Sequence, residues 1–234
     1  MNEYFDTGHH AYMEMRSDDF ARFVMDRVWL SELEKYNTCI ELGAGTGRFT
    51  PPLIERFDQV HLIEPAPAYA KALDARFASE NVTVSDDSAE QFLDEWPEEE
   101  PVLLTAFHLL HHLTFEQRQH IYAFLKRTQS RGVFVEPNPW NPLILAQVLL
   151  TPGMSFAEEK QYLQLRRARL AAELSAASLE MKYYRRIVAL PPGITDALLH
   201  RGVTGLLSAC EALTAIPCAS SYHSFHVVPS EGTQ

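Results

Sequence analysis

A chain of 234 residues is long enough for one substantial hydrophobic core. Its 20 Lys and Arg against 31 Asp and Glu leave a formal charge of -11, no electrostatic footprint for a phosphate backbone or an anionic membrane. The three cysteines, Cys39, Cys210 and Cys218, are too scattered for a disulfide framework or a zinc knuckle.

The chain opens Met1-Asn2-Glu3-Tyr4-Phe5-Asp6, with neither a basic nor an apolar leader region, and its longest apolar runs fall short of a membrane span. A cytoplasmic setting is the expectation. Tyr4, Phe5, His9, His10 and Tyr12 form an aromatic-rich start, which serves either to fold over a site or to pack on the body of the protein. Phe20, Phe23, Val24 and Trp29 then share one face of a helix expected over 17–35. A short apolar run, Thr38 to Leu42, enters a Gly-rich turn, and a helix over 47–57 follows.

Val60 to Glu64 reads as a second strand stopped by Pro65, followed by a helix over roughly 67–79. Val82 to Val84 gives a third strand and Val102 to Ala106 a fourth. Thr114 and Gln117 are spaced as a capping box opening a helix at 115–128, before a fifth strand, Gly132 to Glu136, ended by Pro137. Strands that are apolar almost throughout and alternate with helices describe a parallel sheet covered on both faces. After residue 137 the rhythm changes. Helices are expected at 141–150, 157–178 and 193–214, with strands at Tyr183 to Leu190 and Tyr222 to Val228. One domain over 1–234, with an N-terminal helical or lid region at 1–35 and a helical insertion or lid near 138–180, is the simplest organisation.

The segment Glu41-Leu42-Gly43-Ala44-Gly45-Thr46-Gly47 has the chemistry of a nucleotide-binding turn. Glycines there permit positive φ and close approach of a ligand to the backbone, and Gly47 is placed to open a helix whose free N–H groups face the site. Glu64, ending the next strand, is positioned to accept bonds from both ribose hydroxyls. A dinucleotide fingerprint requires glycine at position 48, where this chain has Arg48. Glu41 beside the turn is a poor neighbour for a pyrophosphate and a good one for a ligand with an amino group and a cationic sulfur. S-adenosylmethionine is therefore the favoured cofactor and NAD the second reading.

The motifs ELGAGTG at 41–47, HLIEP at 61–65, AFHLLHHL at 106–113 and VFVEPNPWNP at 133–142 make the chain resemble the class I S-adenosylmethionine-dependent methyltransferases over roughly 36–228. The resemblance implies an α/β, Rossmann-like, seven-stranded and mostly parallel sheet with an antiparallel last strand, helices on both faces and a helical insertion after strand five. It also implies Gly43 to Gly47 around the methionine and ribose portions and Glu64, with Pro65 beside it, at the ribose. An acidic residue after strand three commonly meets adenine in that family. Here the stretch is Asp86-Asp87-Ser88-Ala89-Glu90, whose register leaves Asp87 or Ser88 for the role, next to Ala89. Phe107 or His108 is placed to wall the adenine or methionine side.

The expected reaction is methyl transfer to an oxygen, nitrogen or carbon of a small molecule. His108, His111 and His112 are the candidates for removing an acceptor proton, histidine being tuned to neutrality. In the structural alternative, His112 bonds across its loop and His111 faces solvent. His108 stands three residues from His111 and four from His112, but no third ligand is evident nearby, and no metal is expected. Asn138 either orients substrate or fixes a Pro-bracketed turn. Arg166, Arg167, Arg169, Lys182, Arg185 and Arg201 read as solvated charges rather than a nucleic-acid groove. The expected partner is a small-molecule acceptor, with neither nucleic acid nor membrane, and a monomer or homodimer. A cofactor-binding module without turnover is the non-enzymatic alternative.

Overall fold

A computed structural model describes residues 17–97, 100–150 and 156–230. The aromatic-rich start at Tyr4 to Tyr12 lies outside the described residues. Seven strands form one sheet: β1 (Thr38–Leu42), β2 (Gln59–Ile63), β3 (Val82–Ser85), β4 (Leu103–Phe107), β5 (Arg131–Pro137), β6 (Leu179–Ile187) and β7 (Tyr222–Pro229). Their order is β3-β2-β1-β4-β5-β7-β6. β1 to β5 pair in parallel, and only β7 runs against its neighbours β5 and β6. The order reverses between β1 and β4, so the C-terminal ends of those two strands open a crevice, the usual place for a ligand in such sheets.

Every residue of β1 and β4 is buried, as helices on both faces require. Alternation then divides the side chains between two cores. Cys39, Leu103, Val133 and Val135 join Phe20 and Val24 of helix α1 (Asp18–Val28) on one face. Ile40, Leu104, Ala106 and Phe134 meet Ile121, Tyr122 and Leu125 of helix α5 (Phe115–Arg127) on the other. The helices between these are α2 (Thr50–Ile54), α3 (Pro67–Phe77) and α4 (Ala89–Glu95). After β5 come α6 (Pro142–Leu150), α7 (Phe156–Glu159) and α8 (Arg167–Ala176), then α9 (Pro192–His200) and α10 (Thr204–Cys210) before β7.

Several elements differ from the sequence expectation, each for a local reason. The first helix stops at Val28 and a 3-10 turn at Ser31–Leu33 replaces its second half. The helix expected over 47–57 shrinks to α2, because Gly47 adopts φ 74 and Pro51 and Pro52 suit only a first turn. Gly47 thus closes a turn instead of opening a helix. Helix α4 was absent from the expectation and rests on a reciprocal capping box between Ser88 and Gln91. The long helix expected over 157–178 is α7, a 3-10 turn at Lys160–Gln164 and α8. Gly202, at φ 69, ends α9 and divides the helix expected over 193–214.

Strand β6 starts earlier than expected, at Leu179, and slips register between Lys182 and Arg185, where Tyr183 takes φ 53. The insertion is held to the sheet-covering layer by a buried ion pair. Arg118 on α5 donates Nε to Glu173 Oε2 at 3.1 Å and a terminal nitrogen to Oε1 at 3.0 Å, with Glu173 on α8. Among the described residues, no helix is long and apolar enough to cross a membrane.

Candidate active site

A cavity of about 470 Å³ lies over the C-terminal ends of β1 and β4, within the range typical of small-molecule sites. Glu41, the penultimate residue of β1, sits in its floor at 2% exposure, with Oε2 accepting the Thr50 hydroxyl at 2.7 Å. Burial, tempered by Thr50 and reinforced by the charge of Glu64, pushes the Glu41 carboxyl up to about 8. Glu64 follows β2 and is also buried. Its Oε2 accepts the Gly45 N–H at 2.8 Å and its Oε1 the Ala66 N–H at 2.9 Å. Burial raises its pKa too, against the lowering effect of those two backbone donors. Among the described residues, neither carboxylate takes part in an ion pair.

The turn that joins these acids depends on glycine at Gly43. Its φ is 64, and a Cβ there would stand 2.8 Å from Leu109 Cδ1. Ala44, Gly45 and Thr46 continue the wall, and Pro65 follows Glu64. Phe107 contributes a ring stacked on Phe49, centroids 4.3 Å apart. Gly47 is not part of the wall. Its own Cβ position is filled by the Phe77 ring, so its role is close packing of the turn on α3.

The cavity does not extend to Asp87, Ser88 or Ala89. The Ser88 hydroxyl caps α4 by accepting the Gln91 N–H at 3.3 Å, and Asp87 Oδ2 accepts the Ser85 hydroxyl at 2.6 Å. The Ser88 side chain is thus engaged locally, as a helix cap, and an adenine contact from Asp87 stands as a proposal.

The opposite wall carries the histidines. His108 follows β4 at φ 57, its N–H bonded to Val135 at 2.8 Å and its ring 4.5 Å from Tyr222. His111 and His112 lie on the 3-10 turn Leu110–His112 and line the cavity with it. His111 does not face solvent; at 2% exposure it is the residue that bonds across the loop, its Nδ1 lying 2.6 Å from Glu136 Oε2. The other oxygen of Glu136 accepts the N–H groups of Leu109 and Leu110 at 3.0 and 2.8 Å. Burial alone would depress the His111 pKa, but the charge and hydrogen bond of Glu136, with Glu159 adding, raise it to about 9.

Glu159 reaches this wall from α7, with Oε2 3.4 Å from His111 Nε2. One ligand atom from each of His111, His112 and Glu159 lies within 4.8 Å of the others. The carboxylate that sequence reading did not find near the histidines is therefore supplied by the insertion. Ile144, Val148 and Tyr162 of the insertion make the apolar part of this wall, and the Tyr162 hydroxyl is buried with no hydrogen-bond partner among the described residues. Asn138 is spent on structure: its amide donates to Pro217 and Ser220 while its oxygen accepts the Trp140 N–H. Glu159 and Tyr222 carried no motif, since both owe their place to chain segments folded back from far along the sequence.

Residues 39–132 match the family described as the methyltransferase domain. This covers β1 to the start of β5, the half of the sheet that carries the glycine turn and both carboxylates. The chain is similar to the class I S-adenosylmethionine-dependent methyltransferases, most directly over this matched segment. It is 27% identical over 190 residues to an uncharacterized methyltransferase of Geobacillus kaustophilus, covering 80% of each chain. A SAM-dependent methyltransferase from Archaeoglobus fulgidus superposes with a TM-score of 0.62 at 14% identity, over 94% of this chain and all of that one. The plantazolicin methyltransferase BamL, whose structure holds SAH, gives 0.61 at 13% identity, over 96% of this chain and 92% of that one. At such identities the structural likenesses show the fold and leave the substrate to the chemistry of the cavity.

Proposed function

We propose that this methyltransferase-family chain binds S-adenosylmethionine on the Glu41–Glu64 side of the cavity and methylates a small organic acceptor held against the histidine wall. The observation that carries the reading is the pair of buried acids. Two carboxylates buried in one cavity, outside any ion pair among the described residues, are held toward their neutral forms by burial, and a positive ligand beside them would favour the ionised forms. The sulfonium and ammonium of S-adenosylmethionine supply that charge, whereas the pyrophosphate of a dinucleotide would be repelled by Glu41 beside the turn.

The residues fit this cofactor further. Each Glu64 oxygen already holds one backbone N–H and has lone-pair capacity left for a ribose hydroxyl. Gly43 lets the backbone pass close to a ligand, and Phe107 offers an apolar flank. When bound, the cofactor supplies a methyl group that an acceptor takes by in-line displacement. The chain's part is positioning and exclusion of water. Ile144, Val148 and Tyr162 give the acceptor side an apolar surface with one unsatisfied hydroxyl, which suits an organic molecule with a polar group. His108 and His112 stand where an acceptor proton would leave, whereas His111, raised to about 9 by Glu136 and Glu159, is held toward its charged form.

Calorimetric titration with S-adenosylmethionine, and with NAD in parallel, tests the reading. Micromolar affinity for the first alone is expected. Binding of NAD alone would overturn it. Release of S-adenosylhomocysteine in the presence of small hydroxyl and amine acceptors then identifies the substrate class.

A further inference from the structure

Three features of the histidine wall have no role in holding a cationic cofactor. His111 Nε2 is buried and, among the described residues, meets only Glu159 Oε2, at 3.4 Å and outside good hydrogen-bond geometry. Glu159, an acid from another segment, is buried beside it at 7% exposure. Behind the ring stands a second acid, Glu136, with no exposure at all. We propose that His111, His112 and Glu159 bind a first-row divalent cation on the cavity wall, and that the ion receives the oxygen donors of the acceptor.

The geometry is that of a three-ligand site. His111 Nε2 and Glu159 Oε2 are 3.4 Å apart. Two ligand atoms roughly 2.1 Å from a common ion take up that separation at about the tetrahedral angle. His112 brings its ring to 3.9 Å from that of His111, and its ligand atom lies within 4.8 Å of the other two. A side-chain adjustment of about 1 Å would bring all three to bonding distance of one ion.

Glu136 gives the site its supporting layer. By bonding Nδ1 of His111 at 2.6 Å it leaves Nε2 as the coordinating nitrogen, and a carboxylate behind a metal-bound imidazole is the usual way of fixing ring and tautomer. Glu136 is in turn pinned by the Leu109 and Leu110 N–H groups, so the ring cannot rotate away. Charge points the same way. Glu136 and Glu159 place two acids in a buried cluster with two imidazoles, and a divalent ion balances them.

Mixed imidazole and carboxylate ligands suit zinc, cobalt, iron(II) or manganese(II) better than calcium or magnesium, which favour oxygen alone. Three protein ligands facing a cavity leave coordination positions open. A hydroxyl bound there gives up its proton to solvent more readily, and a neighbouring oxygen of the same molecule can chelate. The favoured acceptor class is thus an oxygen nucleophile with a second oxygen beside it. This last step rests on the proposed methyl transfer; the metal site stands on its own geometry.

The test uses the full chain stripped by chelator, titrated with Co²⁺ by visible absorption and with Mn²⁺ and Zn²⁺ by calorimetry. S-adenosylhomocysteine binding is measured on the same preparations. One ion per chain is expected, with Glu159→Gln and His112→Asn each weakening it at least tenfold while circular dichroism and S-adenosylhomocysteine affinity stay at wild-type values. Glu136→Gln, a positioning change, should weaken the ion by 10- to 100-fold. An unchanged metal affinity in Glu159→Gln, or no metal binding by a chain that binds S-adenosylhomocysteine, would overturn the site. Metal binding without S-adenosylhomocysteine binding would support the site and overturn the methyl-transfer reading instead.

Discussion

Glu41 and Glu64 reach the cavity from adjacent parallel strands, and their partners Thr50, Gly45 and Ala66 all come from the β1–α3 portion of the chain. The facing wall is assembled differently. His111 comes from the turn after β4, Glu136 from β5 and Glu159 from the insertion, and each needs the others to be placed. A wall made of neighbours in sequence survives damage elsewhere in the fold. A wall made of distant segments fails when any one of them loosens.

The largest expected effect concerns the carboxylate wall without ligand. Glu41 is raised from 4.5 to about 8 by burial, so its contribution to stability is full below the lower value and is lost as pH rises through the upper one. Urea unfolding of the wild type should lose on the order of 4 kcal/mol relative to Glu41→Gln across that interval. A variant with the same pH slope as the wild type would show that the cavity floor is not the source. Addition of a cationic ligand should flatten the slope, since it favours the ionised acid.

Arg118→Met tests the other side of the comparison, because it removes the buried partner of Glu173 and leaves only the exposed Arg169, 3.4 Å away. A loss of roughly 3 kcal/mol in unfolding free energy is expected. Cofactor affinity should fall only a few-fold, since the carboxylate wall does not depend on α8. A collapse of cofactor affinity would mean the two walls are not separable. Glu64→Ala works in the opposite sense: removing an acid that holds the turn and is proposed to meet the ribose should weaken S-adenosylmethionine by on the order of 100-fold. Unchanged affinity would end that assignment.

Smaller effects sharpen the picture. Gly43→Ala puts a side chain at φ 64 against Leu109, a cost of about 2 kcal/mol in stability, visible as a lower thermal midpoint and weaker cofactor binding. Ser88→Ala removes the α4 cap and should cost about 1 kcal/mol with cofactor affinity within twofold of wild type. A larger drop in affinity for Ser88→Ala or Asp87→Ala would extend the site beyond the cavity toward the end of β3.

Much of this was written locally. The glycine turn needs positive φ and an unobstructed backbone, so its residues show directly as Gly43, Gly45 and Gly47, and strands buried on both faces must be apolar throughout, so β1, β4 and β5 stand out as runs. The acids Glu41 and Glu64 are legible for the same reason, being polar ends of apolar strands. What depends on competition between segments was not legible. Helix α4 turned on a capping box judged only in context, and the insertion helices broke where packing favoured turns. Whether His111 met substrate or faced solvent was open in the sequence, and its burial was decided by what folds over the ring.

The sequence by itself determined the order of strands and helices along the chain, the glycine turn and the acid pair, all of them set by backbone geometry and short-range periodicity. Only the tertiary structure decided that Glu136 stands behind His111 and that Glu159 closes on its other nitrogen. No local rule couples residues so far apart in the chain; their meeting follows from burial of the insertion against the sheet, which is a property of the whole core.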